Sequence, residues 1–203
     1  DFNLKTTGKG NTPLHIACFN GYVDIVKLLI KHYAYLNIKN RLEETPLHIA
    51  CMNGHSGIVD LLIKHGADVN TNNYENGTPL YYACQRSHVD IVKILIENKA
   101  DVNVKERWGE TPLLIACELG NLKIVELLIK NNANINAKNS YKQTPLHISC
   151  IRGRVNIVKL LIKNNGDLNL KTGQENTPLH LACLNGYIDI VKLLIEKNAD
   201  FNL

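Results

Sequence analysis

Aromatic residues make up only 6% of this 203-residue chain, with one Trp, one Met and three Phe. A core built on bulky rings is excluded, so the 45% apolar content has to come from Leu, Ile, Val, Ala and Cys in thin layers. No apolar run is long enough to cross a membrane and no charged-then-apolar leader stands at the start, so no membrane insertion is expected. The net charge of +4 is mild, and cations clustered with stacking aromatics on one face are not evident, so no nucleic-acid partner is expected. Phosphate-cradling Gly loops, activated nucleophiles and paired carboxylates are also missing, which predicts neither catalysis nor a cofactor.

Proline is scarce too, and its six copies organise the chain. Each lies in Thr-Pro-Leu, at Thr12, Thr45, Thr78, Thr111, Thr144 and Thr177, an unvarying interval of 33 residues. A unit of that size cannot bury its own apolar face and is stable only when stacked on copies of itself. Length alone allows one or two domains, but a stack has no internal boundary. A single domain over 1–203 is expected, with repeats near 10–39, 43–72, 76–105, 109–138, 142–171 and 175–203.

The second unit reads most cleanly. Thr45 is an N-cap whose hydroxyl can accept from an orphan amide, and Pro46 suits the first helical position, where no donor is needed. Leu47, Ile49, Ala50 and Cys51 give this short helix its apolar side, and Gly54 stops it by adopting a left-handed backbone. A second helix follows, with Ile58, Val59, Leu61, Leu62 and Ile63 spaced for a buried face and Asp60 and Lys64 left to solvent. Gly66 ends it, and the polar stretch from Asn70 to Gly77 turns toward the next Thr-Pro. At the position of Gly66 the other units carry Asn132, Asn165 and Asn198, which tolerate a left-handed backbone, and Tyr33 and Lys99, which do not. Those two corners are expected to be the least comfortable.

Six cysteines would ordinarily suggest a disulfide or zinc framework. Cys18, Cys51, Cys84, Cys117, Cys150 and Cys183 instead occupy one position in successive units, about one helix-packing distance of 8–10 Å apart. That exceeds the roughly 7 Å a disulfide tolerates between Cα atoms. Each unit supplies the same His-x-x-Cys pair at the same height, so four ligands do not converge and no metal is expected. Six reduced thiols imply an intracellular, cytoplasmic setting.

The sequence resembles the ankyrin repeat. The likeness rests on Thr45-Pro46-Leu47-His48, the mid-repeat Gly54, the Ile58-Val59-Asp60-Leu61-Leu62 helix and the close Gly66-Ala67-Asp68-Val69-Asn70, and it recurs over nearly the whole chain. It implies an all-α solenoid of stacked helix-turn-helix units with projecting hairpin loops. It also assigns His15, His48, His147 and His180 a hydrogen bond tying helix to hairpin. Tyr81 and Leu114 replace that histidine in units three and four, where packing is expected to hold the corner instead. His32, His55, His65 and His88 fall near helix ends and read as surface or cap residues.

The resemblance implies a protein-protein interaction module with a protein partner of unknown identity, a host-directed effector being one setting the family allows. The alternative is a structural or regulatory segment docking within a larger multidomain chain. Binding positions carried over from the family are the residues before each Thr-Pro and the two after each motif Cys, which line the concave face. They gather the only Trp, the only Met, two Tyr and four Arg, residue types enriched at interfaces. The expected anchors are Tyr74, Arg86, Trp108, Tyr141 and Arg152, over an apolar floor of Met52, Leu119 and Ile151, with Arg41, Leu42 and Arg107 at the hairpins. The competing reading lays Trp108 against the next hairpin with Leu119 packed beneath it.

The chain opens with Asp1 in mid-unit and closes on Asp200-Phe201-Asn202-Leu203, the start of a seventh unit, so more repeats or other domains of a parent protein are expected. Ile190, Val191, Leu194 and Ile195 are as apolar as their internal counterparts. With no polar cap, this last face is expected to fray or to pair.

Overall fold

A computed structural model describes residues 3–200; the closing Phe201-Asn202-Leu203 and the opening Asp1-Phe2 lie outside the described residues. Among those described, the secondary structure is twelve α-helices in six pairs. The short first helices are α1 (Pro13–Asn20), α3 (Pro46–Met52), α5 (Pro79–Gln85), α7 (Pro112–Leu119), α9 (Pro145–Ile151) and α11 (Pro178–Leu184). Their partners are α2 (Val23–Lys31), α4 (Ser56–Lys64), α6 (Val89–Glu97), α8 (Leu122–Lys130), α10 (Val155–Lys163) and α12 (Ile188–Glu196). The pairs fall into two compact units that divide between Arg107 and Trp108. In the first, α1, α3 and α5 pack in sequence, as do α2, α4 and α6; in the second, α7, α9 and α11 do so, as do α8, α10 and α12.

Every short helix starts where Thr-Pro places it. Each Thr is an extended N-cap whose hydroxyl accepts from the amide three residues on, and Pro fills the next position. In four units the histidine three residues on closes a reciprocal box with the cap residue's backbone. The mid-repeat glycine is required twice over. Gly54 has φ +79°, and a Cβ there would stand 2.8 Å from the His88 ring, just as one on Gly21 would stand 2.6 Å from His55. Both histidines cap outer helices, and His65 closes α4 by bonding the Leu61 carbonyl at 2.8 Å.

The second helices bury a narrower stripe than their apolar pattern suggests. In α4, Ile58, Val59 and Leu62 are buried, while Leu61 and Ile63 are only half-buried, since a helix packed on one side cannot cover five apolar positions. Lys64 and Asp60 pair at 2.6 Å on the solvent side.

Tyr33 and Lys99 adopt φ of 61° and 66°, the same left-handed backbone as Asn132, Asn165, Asn198 and Gly66 at that position. A non-glycine residue there is disfavoured by about 1–2 kcal/mol, a relief partly offset on substitution by the freedom glycine adds to the unfolded chain. Lys99→Gly should therefore raise the unfolding free energy in urea by about 0.5–1 kcal/mol. A value at or below zero would show that the corner carries no strain.

The last face departs from expectation in its residues. Ile190 and Leu194 are fully buried within their own unit, whereas Leu184, Ile188 and Ile195 are 79%, 59% and 51% exposed. At the other end Ile25 is 47% exposed, although Ile58 and Ile91, its repeat equivalents, are buried.

Candidate functional site: hairpin tips and inner helices

The hairpins are positioned by buried polar side chains that bend the backbone around themselves. Asn40 Oδ1 accepts from the amides of Leu42 and Glu44, Asn73 Oδ1 from Glu75 and Gly77, and Asn139 Oδ1 from Tyr141 and Gln143. Thr172 Oγ1 does the same for Gln174 and Asn176. These residues share one repeat position, at intervals of 33 or 66, and are almost wholly buried. The sequence marks them only as polar turn residues; two-residue and four-residue spacing of an Asn to its turn amides was the available signal.

Main-chain hydrogen bonds then join each tip to the next. In the first unit the Arg41 amide donates to the Lys9 carbonyl at 3.0 Å, Tyr74 to Leu42 at 3.1 Å and Arg107 to Glu75 at 2.7 Å. In the second unit Ser140 donates to Trp108 at 2.9 Å and Gly173 to Tyr141 at 2.9 Å.

Histidine fixes tip to helix from below. His48 Nδ1 accepts from the Thr45 amide at 3.1 Å, and Nε2 reaches the Gly77 carbonyl of the next hairpin at 3.1 Å. One ring nitrogen must therefore accept and the other donate, which is the neutral tautomer with hydrogen on Nε2. His15 reaches Glu44 in the same way, and His147 reaches Leu170 and Asn176. Burial lowers the pKa of all three, that of His48 to about 4. In unit three Tyr81, at the histidine position, is half-buried with its ring 5.4 Å from that of Tyr82, and Tyr82 is tied to the hairpin of its own unit. The Tyr82 hydroxyl accepts from Asn73 Nδ2 at 2.8 Å, and its ring fills the space beside Gly77. Leu114, at the histidine position of unit four, is fully buried.

The cysteines line the interior of the stack. All six are free and five are buried, and burial pushes the thiols of Cys18, Cys117 and Cys150 up to about 12. Protonated thiols of this kind are poor nucleophiles and poor metal ligands. Among the described residues no group of three or more His, Cys, Asp or Glu is arranged to hold a metal.

Of the expected binding residues, the first unit brings three together. Leu42, Met52 and Arg86 line a groove of about 340 Å³ with Lys9, Asn11, Phe19, Asn40, Glu44, Ile49 and Asn53. Ile49, expected on the apolar side of its helix, and Asn40, which no expectation singled out, line it as well. Tyr74 is 65% exposed at its tip, with the Arg107 guanidinium 6.0 Å from its ring centroid. Arg41 is exposed one tip earlier. In the second unit Tyr141 lines a cleft of about 330 Å³ with Ser140, Gln143, Thr172, Gly173 and Gln174. Trp108 is 60% exposed, Leu119 is exposed and Ile151 half-buried. Arg152 is already engaged, its guanidinium 2.6 Å from the Glu118 carboxylate.

The family model for ankyrin repeats matches the chain three times, over residues 1–73, 71–139 and 132–203. The chain belongs to the ankyrin-repeat family. Its helix-turn-helix units are those of the ankyrin solenoid, and ankyrin repeats are in general protein-protein interaction modules and typically non-catalytic. No curated protein matches the chain. Among the described residues no helix of this ankyrin array is long and apolar enough to cross a membrane.

Proposed function

We propose that this ankyrin array is a recognition module that binds a protein partner through its hairpin tips and inner helices and performs no chemistry of its own. The observation that carries this reading is the first-unit groove, where exposed Phe19 and Leu42 and half-buried Met52 line a cavity of about 340 Å³ rimmed by charged side chains. Apolar and sulfur-bearing side chains left uncovered beside an arginine have the composition of an interface centre. The thiols kept protonated by burial fit a reducing, intracellular compartment. On the outer helices of the first unit Lys27, Lys64 and Lys93 each pair with a carboxylate of their own helix, which leaves those three charges satisfied.

The test is affinity capture from cell extract with wild type and the double variant Arg86→Ala, Trp108→Ala, which removes one candidate anchor from each unit. Capture should be lost while far-ultraviolet circular dichroism and the melting temperature stay nearly unchanged, since both side chains are exposed. Recovery of the same partner by the double variant would remove this face from consideration.

A further inference from the structure

Arg86 and Arg152 occupy the same position two repeats apart and differ in one respect. The residue that meets Arg152 is Glu118, at the C-terminal end of the preceding inner helix. The corresponding residue for Arg86 is Met52, which carries no charge. Among the described residues no carboxylate or carbonyl bonds the Arg86 guanidinium, and it faces a groove floored by Phe19, Ile49 and Met52. Lys9, on the same groove, also has no side-chain partner there. The single lining carboxylate, Glu44, accepts from the Asn40 amide at 2.9 Å and pairs with neither cation. The groove thus sets two cations, Lys9 and Arg86, against one carboxylate over an apolar floor.

We infer that the first-unit groove takes an acidic peptide segment, one apolar side chain seating against Phe19 and Met52 and a neighbouring carboxylate pairing with Arg86. This rests on the recognition reading above and narrows it to a chemical class of partner. A guanidinium beside apolar surface is partly stripped of water, which strengthens a charge-assisted, bidentate bond to an incoming carboxylate. A neutral or basic segment would leave that cation beside the partner's apolar surface with its charge unmet, so the same feature discriminates as well as binds.

The test uses three fluorescein-labelled octapeptide pools on the whole chain, read by anisotropy. One pool alternates Leu or Phe with Asp or Glu, one replaces the acids by Asn or Gln, and one replaces them by Lys. The acidic pool should bind, and the amide and lysine pools should bind about tenfold more weakly or worse. Arg86→Gln should lose that preference. Met52→Glu should lose it too, because it places a carboxylate beside Arg86 as Glu118 is placed beside Arg152. The double comparison guards against misfolding, since neither site is fully buried and Met52→Glu rebuilds a pair the fold already holds. Equal binding of acidic and amide pools, or undiminished acidic binding by Met52→Glu, would overturn the inference. So would failure of the acidic pool to bind wild type. If the Arg86, Trp108 double variant still loses its captured partner in any of these cases, the recognition reading stands and only the acidic-peptide inference falls.

Discussion

Leu128→Ala should destabilise the protein by about 2–5 kcal/mol, the range for emptying a fully enclosed leucine site. Leu128 lies on α8, is 0% exposed, and belongs to a series in which Leu62, Leu95 and Leu161 are equally enclosed. Its helix packs against α7 on one side and α10 on the other, so the cavity is walled by three helices, of which α7 and α8 start on side-chain caps. Collapse into the void would have to move a capped helix, which keeps the cost high. A drop of that size shifts the thermal midpoint of a chain this long by about 2–4 °C for each kcal/mol. Leu28→Ala is the internal comparison, since Leu28 is 56% exposed on α2 and its truncation should cost under about 1 kcal/mol. Equal losses in the two variants, measured by urea unfolding, would mean that the buried stripe has been assigned to the wrong side of these helices.

Acid should weaken the fold well before carboxylates titrate. His15, His48 and His147 are neutral in the native state, with Nδ1 occupied by a threonine amide and Nε2 by a carbonyl of the next hairpin. A second ring hydrogen would point at that amide. Burial is the main reason their pKa is lowered, and for His48 the neighbouring Lys39 and His15 lower it further while the Gly77 carbonyl raises it. The unfolded chain, with histidine near 6.5, therefore binds more protons than the native one below that pH. Stability is full above 6.5 and is lost as pH falls toward about 4, the native value for His48. For His48 alone the loss at pH 5 is about 2 kcal/mol, and His15 and His147 act in the same direction. Urea unfolding at pH 7.5 and 5.0 measures it. His48→Leu, which copies Leu114 of unit four, should shrink the difference between the two pH values by about that amount. An unchanged difference would show that His48 takes no part.

Much of this was legible in the chain because a repeat compares itself. The Thr-Pro-Leu interval located every inner helix start, and the odd residues Tyr33 and Lys99 marked the strained corners. Leu42, Met52 and Arg86 could be placed on one face because repeat position decides which way a side chain points. Contacts that cross from one repeat to the next were harder to read. Nothing in a single unit says that a Cβ on Gly21 would collide with His55, or that Glu118 answers Arg152 while Met52 leaves Arg86 unanswered. The burial of Asn40, Asn73, Asn139 and Thr172 was hidden for another reason. A polar residue that satisfies its own turn can be enclosed without penalty, and composition alone reads it as loop.

The bonds donated by residues 41, 74, 107, 140 and 173 to the preceding tip run between backbone atoms, with Ser140 Oγ adding a side-chain bond to the Trp108 carbonyl. Side-chain identity at these five positions is thereby decoupled from the main-chain bonds that hold them, and recognition can drift there without loosening those bonds. The exception is proline at 41, 74, 107, 140 or 173, which would delete a donor. Any library built on these loops to redirect the protein to new targets can leave every other residue open there.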